Sequence, residues 1–341
     1  MASSLIIDLM NALNHTTPTP DYGIRDPKGI NRIPAIVFSW VLVVFGTIGN
    51  GHALILNIQR FREQTSTKQR KSPYVVFVLS LAILDLFTCV LILPLDTIDI
   101  STQFAILSVS VCKLFRFFQF FLHASSILQV TLICIHCWRK VFYPKRRQIQ
   151  RRLAFKLCLV CYLIAVPIAI PSAVLAGYST KTINGESGPI CFTVSDAYSD
   201  AMPPKVYSGF LAFAFVTCLI IICSFYIALI RYYCQVRQER MAVENGTKTS
   251  KQPGKTTFTL LILTLVFLVS YLPFLIIAFI VVVKSDFRKG WNIATFATYR
   301  VFVRFPYLNN VLNPVVYGCE DHEFRKRLKQ KYAPLLEKVS F

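Results

Sequence analysis

Tyr74–Leu95 reads YVVFVLSLAILDLFTCVLILPL, and this stretch decides the fold. Asp85 is its one charged residue, and it stands in the middle of the run. A helix crossing the hydrocarbon core of a bilayer needs about 20 mostly apolar residues. A helix at the surface of a soluble domain would carry a polar face instead, and this run has none. Lipid offers no partner for backbone N–H and C=O groups, so the run reads as a membrane helix. Pro94, near its end, is tolerated there as a kink.

Six further runs are as long: Ile33–Ile58, Leu107–Trp138, Leu153–Leu175, Val206–Ile230, Thr256–Val283 and Ile293–Gly318. Pro167 and Pro171 interrupt the fourth of the seven, and the seventh is the least apolar, with Arg300, Arg304, Asn309, Asn310 and Asn313. Composition agrees: 54% of the 341 residues are hydrophobic and only 16% are charged, against roughly 25% charged in soluble domains. The length alone would allow about two soluble domains, but unbroken apolar runs argue for one bundle. The fold class expected is an all-α membrane protein: a seven-transmembrane helix bundle with a short amphipathic helix at the cytoplasmic end. No internal repeat is evident, which leaves the inverted-repeat transporter plan without support.

Three segments follow: 1–32 as an extracellular N-terminal segment, 33–318 as the transmembrane domain, and 319–341 as a cytoplasmic amphipathic helix and tail. The net charge of +20 would suit a nucleic acid, but most of the 37 Lys and Arg fall after the first, third and fifth spans and in the tail. The positive-inside rule then places the N-terminus outside and the tail in the cytoplasm. The chain reads as a multi-pass plasma-membrane protein with no nucleic-acid partner. Lys145-Arg146-Arg147 and Arg151-Arg152 read as topology determinants that touch lipid headgroups, a placement also compatible with a cytoplasmic protein partner.

Met1–Asn31 lacks the basic start and the cleavage site of a signal peptide, so the first span reads as the anchor. Asn14-His15-Thr16 is an outward glycosylation sequon, whereas Asn245-Gly246-Thr247 falls on the cytoplasmic side and reads as silent. Two connections are long: a polar outer loop over 176–205 and a basic, polar inner loop over 231–255. Beyond the last span, Phe324 and Leu328 stand at i, i+4 among basic residues, the pattern of a helix lying on the inner leaflet. Of eleven cysteines, Cys112 and Cys191 lie where oxidation is expected, and a disulfide between them follows from compartment and position. The others read as small packing residues.

Ionisable and polar groups inside a membrane are costly and therefore point to function. Asp85 is mid-span, Asn309 and Asn313 are i, i+4 neighbours on one face, and Asn50 is deep in the first span. They are placed to form one buried polar cluster.

With these features in place, the chain resembles the rhodopsin-like family of G-protein-coupled receptors from Ile33 to Lys331. The resemblance is carried by Gly49-Asn50, Leu81-Ala82-x-x-Asp85, Cys112 with Cys191, Phe267 before Pro273, and Asn313-Pro314-x-x-Tyr317 followed by Phe324. It implies that Asp85, Ser126, Asn309 and Asn313 build a sodium-binding pocket, with a water-filled network as the alternative. It implies that Ile127 and Phe267 belong to a packing switch, with Pro273 and Pro314 as the kinks of the sixth and seventh helices. Tyr226 and Tyr317 match a pair that approaches on activation, or else are interfacial aromatics.

The departures fall at the inner end and in the core. The family's Asp-Arg-Tyr reads His136-Cys137-Trp138, and Pro253 stands where many members carry an acidic partner. Arg139 is two positions on, turned roughly 200° around the helix. Tyr271 replaces the tryptophan of the sixth span, Cys161 is near the place of the fourth-span tryptophan, and Cys218 replaces the fifth-span proline. The expectation is altered coupling to G protein or arrestin.

On the ligand side, Tyr307 stands where an opsin has its Schiff-base lysine, and Gln119 where an amine receptor has its aspartate. Arg304, nine residues before Asn313 and so about 13 Å along a helix, loosely resembles the carboxylate anchor of prostanoid-type receptors, as do Gly49-Asn50-Gly51-x-Ala53-Leu54 and Pro189-x-Cys191-Phe192. Arg116 would add positive potential. The alternative is that either arginine pairs internally with Asp96 or Asp99. The ligands expected are therefore an acidic lipid or a peptide, met by Arg304, Arg116, Gln119, Tyr307 and Tyr271. The other functions weighed are a decoy or heteromer partner that does not couple, and an ion channel or transporter using Asp85. No enzyme is expected, since the histidines lack metal spacing and no nucleophile–base constellation is present. No cofactor is expected beyond the sodium ion near Asp85.

Overall fold

The computed structural model describes residues 29–66, 72–102, 108–183, 186–192, 202–242, 255–283 and 291–339. The first span is helix α1 (Ile33–Ser66). The second begins as α2 (Pro73–Phe87), passes through a π-helical turn at Thr88–Ile92 and continues as α3 (Leu93–Ser101). The third is α4 (Val109–Phe142) and the fourth α5 (Arg151–Leu175). An antiparallel hairpin, β1 (Gly177–Ile183) and β2 (Glu186–Phe192), precedes α6 (Met202–Ala242) and α7 (Lys255–Val283). The seventh run is divided into α8 (Ile293–Phe302) and α9 (Pro306–Glu320), and α10 (His322–Val339) follows.

Local signals explain most of these limits. The Ser72 hydroxyl accepts a bond from Tyr74 N–H, and Pro73 fills a first-turn position that needs no donor. Ser108 caps α4 through Val111 N–H, and Asn292 caps α8 through Thr295 N–H. Among the described residues, six helices are long and apolar enough to cross a membrane. The seventh run falls short because it is broken. Pro306 has no N–H to give to Phe302, and the chain tightens into i to i+3 bonds, Arg304 N–H to Val301 and Phe305 N–H to Phe302.

Three segments differ from the sequence reading. The polar outer loop carries a hairpin that pairs Gly177 with Phe192 and Ile183 with Glu186. The basic inner loop is helical as far as Ala242. The Pro94 kink is taken up as the π-helical turn just before it, where the missing N–H frees a carbonyl one turn back. Asn14, Asn245 and Pro253 lie outside the described residues, as does the Cys191 side chain.

The burial pattern suits lipid. Large apolar side chains face outward, among them Phe45, Phe155, Leu163, Val206, Phe213 and Val269, each more than 60% exposed. In water such a surface would drive aggregation; in a bilayer it is the solvent-facing side. The interior holds Phe77, Leu81, Ile133, Phe267 and Tyr317 together with Asp85, Asn50, Asn309 and Asn313. Small residues bring the helices close. A Cβ on Gly46 would lie 2.3 Å from Cys89 Sγ, and one on Gly49 would lie 3.0 Å from the Pro314 ring. The first span therefore packs on the π turn and on α9 through a small-residue strip.

Candidate functional site

Three polar or aromatic layers cross the bundle, from the end that carries the hairpin to the end that carries the basic connections. The outer layer is built on α3. The π turn inserts one extra residue into the second span, which rotates its outer end and turns both Asp96 and Asp99 toward neighbouring helices. Asp96 receives Arg304 Nε at 2.7 Å and Nη2 at 3.4 Å, and Nη1 bonds the Arg300 carbonyl at 2.8 Å. All three guanidinium nitrogens of Arg304 thus make a bond within the protein, with its side chain 12% and that of Asp96 8% exposed. Arg116 pairs with Asp99 at 3.5 Å and donates to Gln119 Oε1 at 2.9 Å. The Gln119 amide then donates to the Tyr307 hydroxyl at 2.9 Å.

His123, one turn below Gln119, carries this chain into the core. Its ring lies 5.2 Å from Tyr307 and 6.5 Å from Tyr271. Tyr271 in turn packs on Phe267 at 4.4 Å and on Phe215 at 5.4 Å. Ile127 is partly buried against the same cluster. Arg116, Gln119, Tyr307, Tyr271 and Phe267 thus form one continuous path, and Arg304 with Asp96 closes its rim. His123 was not singled out from the sequence, although its i, i+4 spacing from Gln119 places it on the same face.

The middle layer centres on Asp85, which has no exposed surface. Asn313 Nδ2 donates to Asp85 Oδ2 at 2.7 Å. Asn50 Nδ2 bridges the carbonyls of Gly46 at 3.0 Å and Asn310 at 2.7 Å, tying the first span to the seventh. Asp85 Oδ1, Ser126 Oγ, both amide atoms of Asn309 and the Tyr317 hydroxyl are buried without a partner within the protein. Buried polar atoms are ordinarily paired, and an uncompensated buried charge costs several kcal/mol. Oxygen donors from three packed spans are what a hard cation takes, so these residues fit a sodium ion. The Tyr317 hydroxyl does not reach Tyr226; its ring packs on Phe324 at 6.0 Å.

The inner layer holds the altered triplet. His136 is buried with its ring 5.2 Å from Phe77 of the second span. Cys137, 1% exposed, fills the core where the resemblance calls for an arginine. Trp138 turns to the opposite side and stacks on Phe225 of α6 at 5.2 Å, 25° from parallel. Arg139 points away and donates to the Arg147 carbonyl at 3.0 Å.

Beside this layer, Asp321 anchors α10. Its Oδ2 accepts from Arg60 and from the Tyr74 hydroxyl, each at 2.8 Å, and Oδ1 accepts from the backbone of Glu323 and Phe324. Arg327 adds a two-pronged pair to Glu63 at 2.7 and 2.8 Å. The sequence reading missed Asp321, although an aspartate just before a helical pattern is an N-cap signal. At the outer end, Cys112 is buried and disulfide-bonded. Its expected partner, Cys191, belongs to β2, at the hairpin position paired with Tyr178.

The sequence pattern of the 7 transmembrane receptor (rhodopsin family) matches residues 64–317. The human "Probable G-protein coupled receptor 19" is 25% identical over 306 residues, covering 87% of this chain and 67% of that protein. Rat "Neuropeptide FF receptor 1" is 22% identical, over 74% of this chain and 60% of the relative's length. Mouse "Neuromedin-U receptor 2" is 24% identical, over 98% and 84%.

Proposed function

The chain belongs to the rhodopsin family of seven-transmembrane receptors, and from that premise we propose that it is a receptor for an extracellular peptide whose coupling to G protein or arrestin is altered at the basic end. It is a multi-pass membrane protein and a signalling receptor, not an enzyme. The proposed orientation puts the hairpin and Asn14 outside and the basic connections in the cytoplasm.

The observation that carries the ligand reading is the pairing of Arg304 with Asp96. A guanidinium whose charge is already balanced by a buried carboxylate on two of its nitrogens is a weaker anchor for the carboxylate of an acidic lipid than an unpaired one. The rim is charge-balanced, two arginines facing two aspartates, above an aromatic floor of His123, Tyr271 and Tyr307. Such a surface offers amide, hydroxyl and ring contacts, which suits a peptide. A relative named for a neuropeptide supports the same choice. The acidic-lipid reading is kept as the outcome of a test. Arg304→Gln abolishes the response if a lipid carboxylate sits there, whereas a peptide response survives in Asp96→Asn/Arg304→Gln, in which both charges are gone. A response to acidic lipids, lost in Arg304→Gln, overturns the peptide reading.

Inside the bundle, Asp85, Ser126, Asn309 and Asn313 are the residues that would hold a sodium ion. The ion would supply positive charge against Asp85 and brace the second, third and seventh spans. At the basic end, Cys137 stands in the core without the charge that a coupling arginine provides, and Arg139 is turned aside. This favours a second reading, a partner subunit that binds ligand without coupling by itself. G-protein recruitment in Cys137→Arg, compared with the unmodified chain, separates the two: recruitment in neither supports the non-coupling partner.

A further inference from the structure

Helix α6 leans on the bundle chiefly through α4; its contact with α7 among the described residues is slight. The inner half of that α4–α6 contact is a ladder at helical spacing. Cys134 Sγ faces the Ile222 carbonyl at 3.9 Å, Trp138 stacks on Phe225, and the Phe142 ring lies 5.5 Å from Tyr232. Residues 134, 138 and 142 are each one turn apart on α4, and Phe225 and Tyr232 are two turns apart on α6. Trp138 also packs on Phe142 at 5.8 Å and on Tyr143 at 5.1 Å, so the rungs brace each other. The contacts described in it are between rings and between a thiol and a carbonyl.

Resting on the receptor reading above, we propose that Trp138 and Phe225 are the positioning pair for its output: an aromatic latch that holds the inner end of α6 against α4. A partner that reads conformation at the basic end has to sense a two-state element there. Stacked rings between two helices are such an element. They hold the closed arrangement by contact and by burial of apolar area, and they separate without leaving a charge unpaired. The altered triplet that lacks the arginine at Cys137 thus carries a mechanical substitute one residue on, at Trp138. Unlike an ion pair, this latch is insensitive to ionic strength.

The test uses the full chain in lipid nanodiscs and in cells, with Trp138→Ala, Phe225→Ala, the double variant and Trp138→Phe. Hydrogen exchange over 134–142 and 222–232 reads the latch without any ligand or partner. Exchange should rise about two- to ten-fold in each alanine variant, the shift that one aromatic contact supports. It should rise little further in the double variant and stay near the parent in Trp138→Phe. Unchanged exchange in both single variants, at normal surface expression, overturns the latch whatever the receptor couples to. Ligand-independent recruitment of G-protein and arrestin sensors is measured on the same variants. Faster exchange with raised recruitment supports the latch as the control of output. Faster exchange without recruitment in any variant, nor in Cys137→Arg, leaves the latch standing and counts against the coupling reading instead.

Discussion

Asp96 and Arg304 illustrate how much a single buried side chain depends on its partner. Removing one member of a buried ion pair leaves the other charge stranded, which costs about 3–5 kcal/mol, whereas removing both is often near neutral. Arg304→Gln and Asp96→Asn should therefore each lower the thermal stability of the purified receptor, and the double variant should recover most of the loss. A double variant as unstable as the sum of the singles would show that the pair does not interact. Asp85 makes a different prediction. If its unpartnered oxygen helps to hold sodium, stability should rise with sodium chloride over choline chloride in the parent and lose that dependence in Asp85→Asn. Equal sodium dependence in both chains would remove the ion from Asp85. Asp85 and Asn313, which share a hydrogen bond, stood out in the sequence because charge and amide groups are conspicuous in an apolar run. The choice between an external and an internal partner for Arg304 was not legible, because it turns on the rotation that one π turn gives to α3.

At the scale of the element, seven apolar runs announced seven crossings, and burial by lipid explains why the signal is so plain. What the runs concealed was their internal breaks. Pro306 divides the last crossing into α8 and α9, and a carbonyl freed by Pro94 sets the π turn; both effects lie in hydrogen bonding, which hydropathy does not report. The hairpin was hidden for a related reason: Gly177–Ile183 and Glu186–Phe192 are largely polar in sequence and lack the strict apolar–polar alternation that marks a strand. Helix α10 shows the reverse case, a pattern correctly read as amphipathic whose anchor went unnoticed. Asp321 caps it and ties it to Arg60 and Tyr74, so Asp321→Ala should cost roughly 1 kcal/mol for the cap alone and more through Arg60, which is left without its carboxylate. Faster hydrogen exchange across 322–333 with little change in α5 is the expected readout. Protection equal to the parent's would mean that Glu63–Arg327 and the buried Phe324 suffice.

Across the whole molecule, the outer and middle layers keep the elements of a receptor, while the inner layer is rebuilt. The path from Arg116 through Gln119, Tyr307, His123 and Tyr271 to Phe267 is continuous. Below that, charge gives way to rings: His136 on Phe77, Cys137 in the core, Trp138 on Phe225. The bundle is thus equipped to take up a ligand-driven change, and its exit is held by apolar contact. The most direct test of this account is a peptide screen on cells expressing the unmodified chain beside Cys137→Arg, read with G-protein and arrestin sensors at matched surface expression. The account predicts a peptide that drives a clearly stronger G-protein response in Cys137→Arg than in the unmodified chain. A G-protein response of equal strength in both would contradict it.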